Sequence, residues 1–135
     1  YPLIKLCYSG KYTEGEMVNK VSNIGGMYDY LATKDMIEIE ERIEKGDGKA
    51  KLIMDAFIYQ VSKEIAMYGA SLLGNVDRVI LTGGIAHSDL VTKEVTKRVS
   101  YLAPVEIIAG EMEMEALALG ALRVLDGGEE SKEYK

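Results

Sequence analysis

The chain has very little of several residue types, and each shortage excludes a class of protein. Among its 135 residues there is one cysteine, one histidine, two prolines and no tryptophan. A single cysteine, Cys7, cannot form an internal disulfide, which is typical of a reducing compartment and predicts a cytoplasmic protein. One cysteine and one histidine are also too few to build a zinc site from this chain.

Basic clusters and long apolar runs are lacking as well. The 22 acidic residues outnumber the 16 basic ones, which gives a net charge of −6. We therefore expect no nucleic-acid or anionic-membrane partner. Charges or glycines break every apolar stretch, so we expect no membrane span, and no signal-peptide pattern is visible. A hydrophobic content of 47% is ordinary for a globular domain with one core.

Known nucleotide and hydrolase motifs are absent too. Neither the dinucleotide fingerprint GxGxxG nor the phosphate-binding GxxxxGK[ST] motif occurs. No Ser-His-Asp, Cys-His or paired-acid arrangement that could hydrolyse a substrate is visible. If the protein is an enzyme, its chemistry is expected to depend on positioning and electrostatics, as in phosphoryl transfer.

The first half of the chain is predicted to be mostly helical. Hydrophobic spacing and capping residues indicate helices over about 13–22, 35–44 and 48–73, with a loop or turn over 23–33. Residues 3–7 are compatible with a strand or with a short buried helical turn.

Capping residues support these boundaries. Thr13 and Asp47 are expected N-caps, and Gly74 suits the C′ position after the long helix. Apolar residues cover well over half of the circumference of helix 48–73, which predicts that it is buried.

The second half alternates between strands and helices. The sequence predicts a strand over 76–82 that is covered on both faces, a helix over 89–100, a strand over 105–109 and a helix over 110–125. Short connections between these elements indicate a βαβα unit with a parallel strand pair. Residues 128–135 are expected to be a charged, solvated tail.

Two adjacent glycines follow the first of these strands. Ligands of open α/β sheets bind at the carboxyl ends of strands, and Gly83 and Gly84 would let a ligand approach the backbone. The alternative is a tight turn that lets the next helix pack on its strand. His87 lies beside this pair, either as an exposed loop residue or along the edge of a nucleotide.

Acidic residues follow the second strand and precede two helices. Glu111 and Glu113 could hold Mg²⁺, directly or through water, near phosphates, and Glu115 belongs to the same cluster. Acids at a helix start are, by default, helix-stabilising. Asp35 is likewise either a helix-start acid or a polar contact to a nucleotide sugar.

Taken together, these segments resemble a known family. VDRVILTGGIAHSDLV and the stretch from YLAPVEIIAGEMEMEALALG to the end resemble butyrate kinases, of the acetokinase branch of the superfamily of sugar kinases, heat-shock ATPases and actin. LIKLCYSGKYT and GGMYDYLATKDMIEIEERIEKGDGKAKLIMDA match in the same order. The resemblance implies the α/β fold of the C-terminal part of a ribonuclease-H-like, actin-like ATPase domain, with a parallel βαβα unit preceded by helices.

It also implies a function: reversible phosphoryl transfer between ATP and a short-chain carboxylate to give an acyl phosphate, with Mg²⁺. The adenosine would lie against Gly83 and Gly84, with Ile85 flanking the base. Ser88 takes a position where acetate kinases typically carry Asn, and Asp35 matches an acidic residue near the nucleotide.

Three departures from the family pattern concern the same region. Ile37 stands where relatives often carry Arg, so one nucleotide or phosphate contact is absent. Ala109 replaces a usual Pro and Met112 a usual Asp, which puts the Mg²⁺ role of Glu111 and Glu113 in doubt.

The resemblance implies a single C-terminal domain fragment, with a lead-in over 1–46, a long helix plus βαβα core over 47–127 and the tail. The family's phosphate-binding and carboxylate-binding motifs precede the point where this chain starts. The chain alone is therefore expected to be inactive without its N-terminal part, and a homodimer through this domain is implied. Two alternatives stay open: a non-catalytic nucleotide-binding or association domain, or a kinase for acetate, propionate or a branched acid.

Overall fold

A computed structural model describes residues 1–110 and 112–131 of the chain. The elements in this part are α1 (Pro2–Cys7), α2 (Glu14–Ser22), α3 (Met27–Leu31), α4 (Met36–Glu44), α5 (Gly48–Ser71), β1 (Val79–Gly83), a 3₁₀ turn (Gly84–His87), α6 (Asp89–Val99), β2 (Val105–Ala109) and α7 (Glu113–Leu125). The predicted α/β class is confirmed. Glu111 and residues 132–135, the end of the expected charged tail, lie outside the described residues.

The hydrophobic core forms where α4, α5 and α6 meet β1. Its most deeply buried side chains are Ile39, Met54, Ile58, Val95 and Val99. Ile39 comes from α4, Met54 and Ile58 lie one turn apart on α5, and the two valines lie one turn apart on α6. Each helix thus contributes one apolar stripe, which is how surface helices normally pack.

The parallel pairing of the two strands is also confirmed. Their register runs from Val79 opposite Val105 to Gly83 opposite Ala109. The expected coverage of the first strand on both faces is wrong in the described part of the chain, because the Ile80 side chain is 55% exposed. The core helices cover one face, and the other face of the pair carries apolar side chains that nothing described here covers.

The long helix α5 differs from its prediction in two ways. Its apolar circumference is not buried all round, since Leu52, Tyr59 and Tyr68 are mostly exposed. Its predicted C′ glycine is wrong by one position: Leu73 occupies C′ with φ +54°, and Gly74 follows it. The hydrogen bonds from Leu73 N–H to Ala70 O and from Gly74 N–H to Gly69 O, both 3.0 Å, complete a Schellman motif.

Two further predictions in the first half are corrected. Residues 3–7 are neither a strand nor buried, since they belong to α1, in which no residue is buried. The loop expected over 23–33 contains α3, whose Leu31 packs into the core. Leu31 is buried and Met27 packs against the same core, so tertiary contacts support a five-residue helix in a segment rich in turn-forming residues.

Helix α7 lies apart from the core. It begins at Glu113, three residues later than predicted, and none of its residues is buried. Met114 and Leu117 are 81% and 69% exposed. In residues 1–110 and 112–131, no helix is both long and apolar enough to cross a membrane.

One charged network ties α3, α4 and α5 together. Asp47 caps α5, accepting hydrogen bonds from the N–H groups of Lys49 and Ala50. Its other carboxylate oxygen accepts from Arg42 Nε at 2.9 Å and Nη2 at 2.7 Å, and Arg42 Nη1 donates to Leu31 O at 3.0 Å. The Ala50 N–H, followed by the Arg42 guanidinium, holds the pKa of Asp47 below its usual range.

We expect Asp47→Asn to lower the unfolding temperature at neutral pH and to have less effect in acid. A carboxyl whose pKa is lowered by folding stabilises the protein above its unfolded pKa, and this contribution disappears as the pH falls through the folded pKa. Thermal unfolding at several pH values, from neutral to acidic, measures whether the unfolding temperatures of the variant and the original protein converge. Asp55→Asn is the control, because among the described residues it breaks only the exposed ion pair with Lys51. An equal and pH-independent fall in unfolding temperature in both variants would contradict the prediction.

Candidate functional site

The candidate site is the edge of the sheet where both strands end. β1 ends at Gly83 and β2 at Ala109, and Gly110 N–H donates a hydrogen bond to Gly83 O at 3.2 Å. Gly83 and Gly110 have φ values of +80° and +99°, a region in which residues with a side chain are strained. The chain thus turns away from the sheet at two glycines that lie side by side.

The space around these glycines distinguishes their roles. Among the described residues, chain neighbours aside, a Cβ atom built on Gly83 or Gly84 would meet no atom within 4 Å, so no described packing contact requires glycine at either position. Gly83 is explained by its positive φ. Gly84 has no positive φ, so within the described residues neither backbone conformation nor packing requires glycine there.

His87 reaches the same edge. A Cβ on Gly110 would lie 3.6 Å from His87 Nε2, an ordinary contact distance. His87 ends the 3₁₀ turn and is itself exposed. The sequence reasoning placed His87 beside the glycine pair but missed Gly110, although a glycine directly after the second strand was a signal of the same kind as Gly83.

Ser88 stands at the amino end of α6 and is only 8% exposed. Its Oγ accepts a hydrogen bond from Val91 N–H at 3.1 Å, which is the usual N-cap interaction. The same hydroxyl donates to the Glu40 carboxylate of α4. Both functions of the hydroxyl are therefore satisfied inside the protein, and Ser88 shapes the helix terminus that faces the glycines.

Asp35 has a capping role as well. Its Oδ1 accepts from Ile37 N–H at 2.9 Å, and its own N–H donates to Thr33 Oγ1 at 3.2 Å. Asp35 lies five residues before Glu40, or about 7 Å along the helix axis at the usual rise. Helix α4 therefore connects Asp35 to the glycine edge through the contact of Glu40 with Ser88.

The expected metal residues are only partly described. Glu113 is the first residue of α7 and is exposed, and Glu115 follows in the same turn. Glu111 falls outside the described residues. Among the residues whose placement is described, no group of three or more histidine, cysteine or acidic side chains could hold a metal ion.

Comparisons with known proteins identify relatives of this chain. Residues 11–116 match the model of the acetokinase family. Butyrate kinase 2 of Clostridium acetobutylicum is 47% identical over 133 residues, which is 98% of this chain and 37% of that protein. A probable butyrate kinase of Clostridium botulinum is 45% identical over 132 residues, with the same shares.

A solved structure shows the same fold. The chain superposes on the crystal structure of Porphyromonas gingivalis acetate kinase with a TM-score of 0.79 and 18% identity, over 92% of this chain and 37% of that one. The chain therefore spans about 37% of the length of the relatives that it matches. The resemblance to butyrate kinases is confirmed. Because the family model matches most of its length, this chain belongs to the acetokinase family.

Proposed function

We propose that this chain is the adenosine-binding part of an ATP:short-chain carboxylate phosphotransferase, with butyrate as the acceptor. A carboxylate oxygen of the acid would form a new bond to the γ-phosphorus of ATP while the bond to the β,γ-bridging oxygen breaks. The products are ADP and an acyl phosphate, and the reaction is reversible. The butyrate kinases named above support the choice of acid.

The observation that carries the proposal is Gly84. Among the described residues, Gly84 has no conformational or packing reason to be glycine, and the space above it is open. A ligand that contacts the backbone would supply the reason. We assign the adenosine to Gly83 and Gly84, with the half-exposed Ile85 beside the base and Asp35 near the sugar. Ser88 would act by shaping the α6 terminus, since its hydroxyl already has two partners.

The described residues fit Mg²⁺ only as part of a larger set of ligands. Mg²⁺ is often bound through one or two carboxylates together with waters and substrate phosphates. Glu113 is exposed at the start of α7 and could supply one such contact through water, as could Glu111. When bound, Mg²⁺ would neutralise charge on the phosphates; the residues of this chain would bind and orient the nucleotide.

The uncovered surfaces also fit a second candidate, an association or nucleotide-binding domain without catalysis. The face of the strand pair bearing Ile80, and the apolar residues of α7, have no cover among the described residues. Another part of the same enzyme would cover them under the first proposal. A second copy would do so under the homodimer proposal, to which the exposed side of α5 could also contribute.

A graft tests the kinase proposal. The chain replaces the segment that it matches in butyrate kinase 2 of Clostridium acetobutylicum, and acyl phosphate is trapped with hydroxylamine in the presence of ATP and Mg²⁺. We expect the graft to form acyl phosphate with butyrate, and the chain alone to form none. The unmodified kinase and its remaining segment are the controls.

Two other results have distinct meanings. Activity of the chain alone would contradict its dependence on an N-terminal part. A graft that folds and binds ADP but forms no acyl phosphate with any short carboxylate would favour the non-catalytic candidate.

A further inference from the structure

The contact between Ser88 and Glu40 bridges two elements that are distant in sequence. The residues are 48 positions apart, and Ser88 Oγ donates its proton to Glu40 Oε1. Among the described residues, no other side-chain hydrogen bond joins α4 to the segment from β1 to α6. Because a hydroxyl has one proton, directing it at Glu40 leaves a lone pair for Val91 N–H.

The packing beneath this contact explains why it forms there. Ile39, next to Glu40 in sequence, is fully buried in the core that also holds Val91 and Val95 of α6. Glu40 therefore emerges at the rim of the core, facing the amino end of α6. A carboxylate there is favoured by the partial positive charge of that helix terminus.

We propose that Glu40 is a positioning residue for the nucleotide site. By holding the Ser88 hydroxyl, it fixes the segment 83–88 at the amino end of α6 and sets that segment's distance from the α4 terminus at Asp35. The effect on nucleotide rests on the proposed function. The ordering of the segment does not, because it follows from the hydrogen bonds alone.

Three variants separate positioning from ordinary surface contacts. Glu40→Ala removes the acceptor, and Glu40→Gln keeps an oxygen that can accept from Ser88. Glu41→Ala is the matched control, because Glu41 lies next to Glu40 but, among the described residues, its side chain pairs only with the exposed Lys45. Ser88→Ala and the double variant Glu40→Ala/Ser88→Ala complete a cycle that measures whether the two residues act together.

Two measurements are made on the 135-residue chain. Amide hydrogen exchange without nucleotide reports the order of residues 84–91, and calorimetric titration with ADP and Mg²⁺ reports affinity. We expect Glu40→Ala to speed exchange of the Val91 amide and to weaken ADP binding by about tenfold. Glu40→Gln should restore both, Glu41→Ala should change neither, and the double variant should be no weaker than Ser88→Ala.

Each contrary result has one meaning. Unchanged exchange at Val91 in Glu40→Ala would overturn the positioning role. Faster exchange with unchanged ADP affinity would overturn its link to the nucleotide, and additive losses would show that Glu40 does not act through Ser88. If the unmodified chain binds no ADP, the proposed nucleotide site fails, while the exchange comparison still decides whether Glu40 orders the segment.

Discussion

Gly84→Ala is expected to weaken ADP binding by more than about tenfold while the free energy of unfolding stays within about 0.5 kcal/mol of the original value. The added methyl group meets no atom of the described residues within 4 Å, and Gly84 has no positive φ, so we expect the folded state to accommodate it. A ligand seated on the backbone would collide with that methyl group. Calorimetric titration with ADP and Mg²⁺, paired with urea unfolding, measures both effects.

Two other glycines serve as controls for this experiment. Gly83→Ala forces a side chain into φ +80°, so it should cost about 1–2 kcal/mol of stability as well as affinity. Gly48→Ala also meets open space but lies at the start of α5, so ADP affinity should not change. If Gly84→Ala binds ADP as tightly as the unmodified chain, the ligand does not approach this backbone, and the glycine pair is only a turn.

Ile39→Ala is expected to have the largest effect on stability, a loss of about 2–5 kcal/mol. Ile39 is 0% exposed and lies in the core that α4 shares with α5 and α6. Truncation removes buried methyl and methylene groups and leaves a cavity that the neighbouring helices fill only in part. Urea unfolding followed by helical circular dichroism gives the difference in free energy.

Ile37→Ala is the matched control on the same helix. Ile37 is 72% exposed, so the same truncation should change stability by less than about 0.5 kcal/mol. Comparable losses in both variants would mean that α4 does not present Ile39 to the core as described.

Local features of this protein were predictable because they depend on residues close together in sequence. Thr13 forms a capping box with Glu16, and Asp47 caps α5 through N–H groups two and three residues further on. The strand over 105–109 has the bounds that its β-branched run predicts. Hydrogen bonds that close within four residues need no tertiary partner, so the spacing of residue types is enough to predict them.

The predictions from the sequence were wrong where burial against distant residues decides the local structure. The helix at 27–31 forms because Leu31 has a place in the core, which the turn-like composition around Gly25 and Gly26 does not reveal. The apolar residues of β1 and α5 predicted burial on all sides, but Ile80, Leu52 and Tyr68 are mostly exposed in the described part of the chain. The hydrophobicity of a side chain determines how much free energy its burial would contribute. Whether it is buried depends on other parts of the molecule.

The sequence by itself determined the helices that carry their own caps, the parallel strand pair, the glycine pair after the first strand and the membership of the acetokinase family. Only the tertiary structure placed Gly110 and His87 beside Gly83, and Glu40 against Ser88. These contacts join residues up to 48 positions apart. They follow from strand register and from the burial of Ile39 in the core that also holds residues of α6, and no local pattern of residues encodes either one.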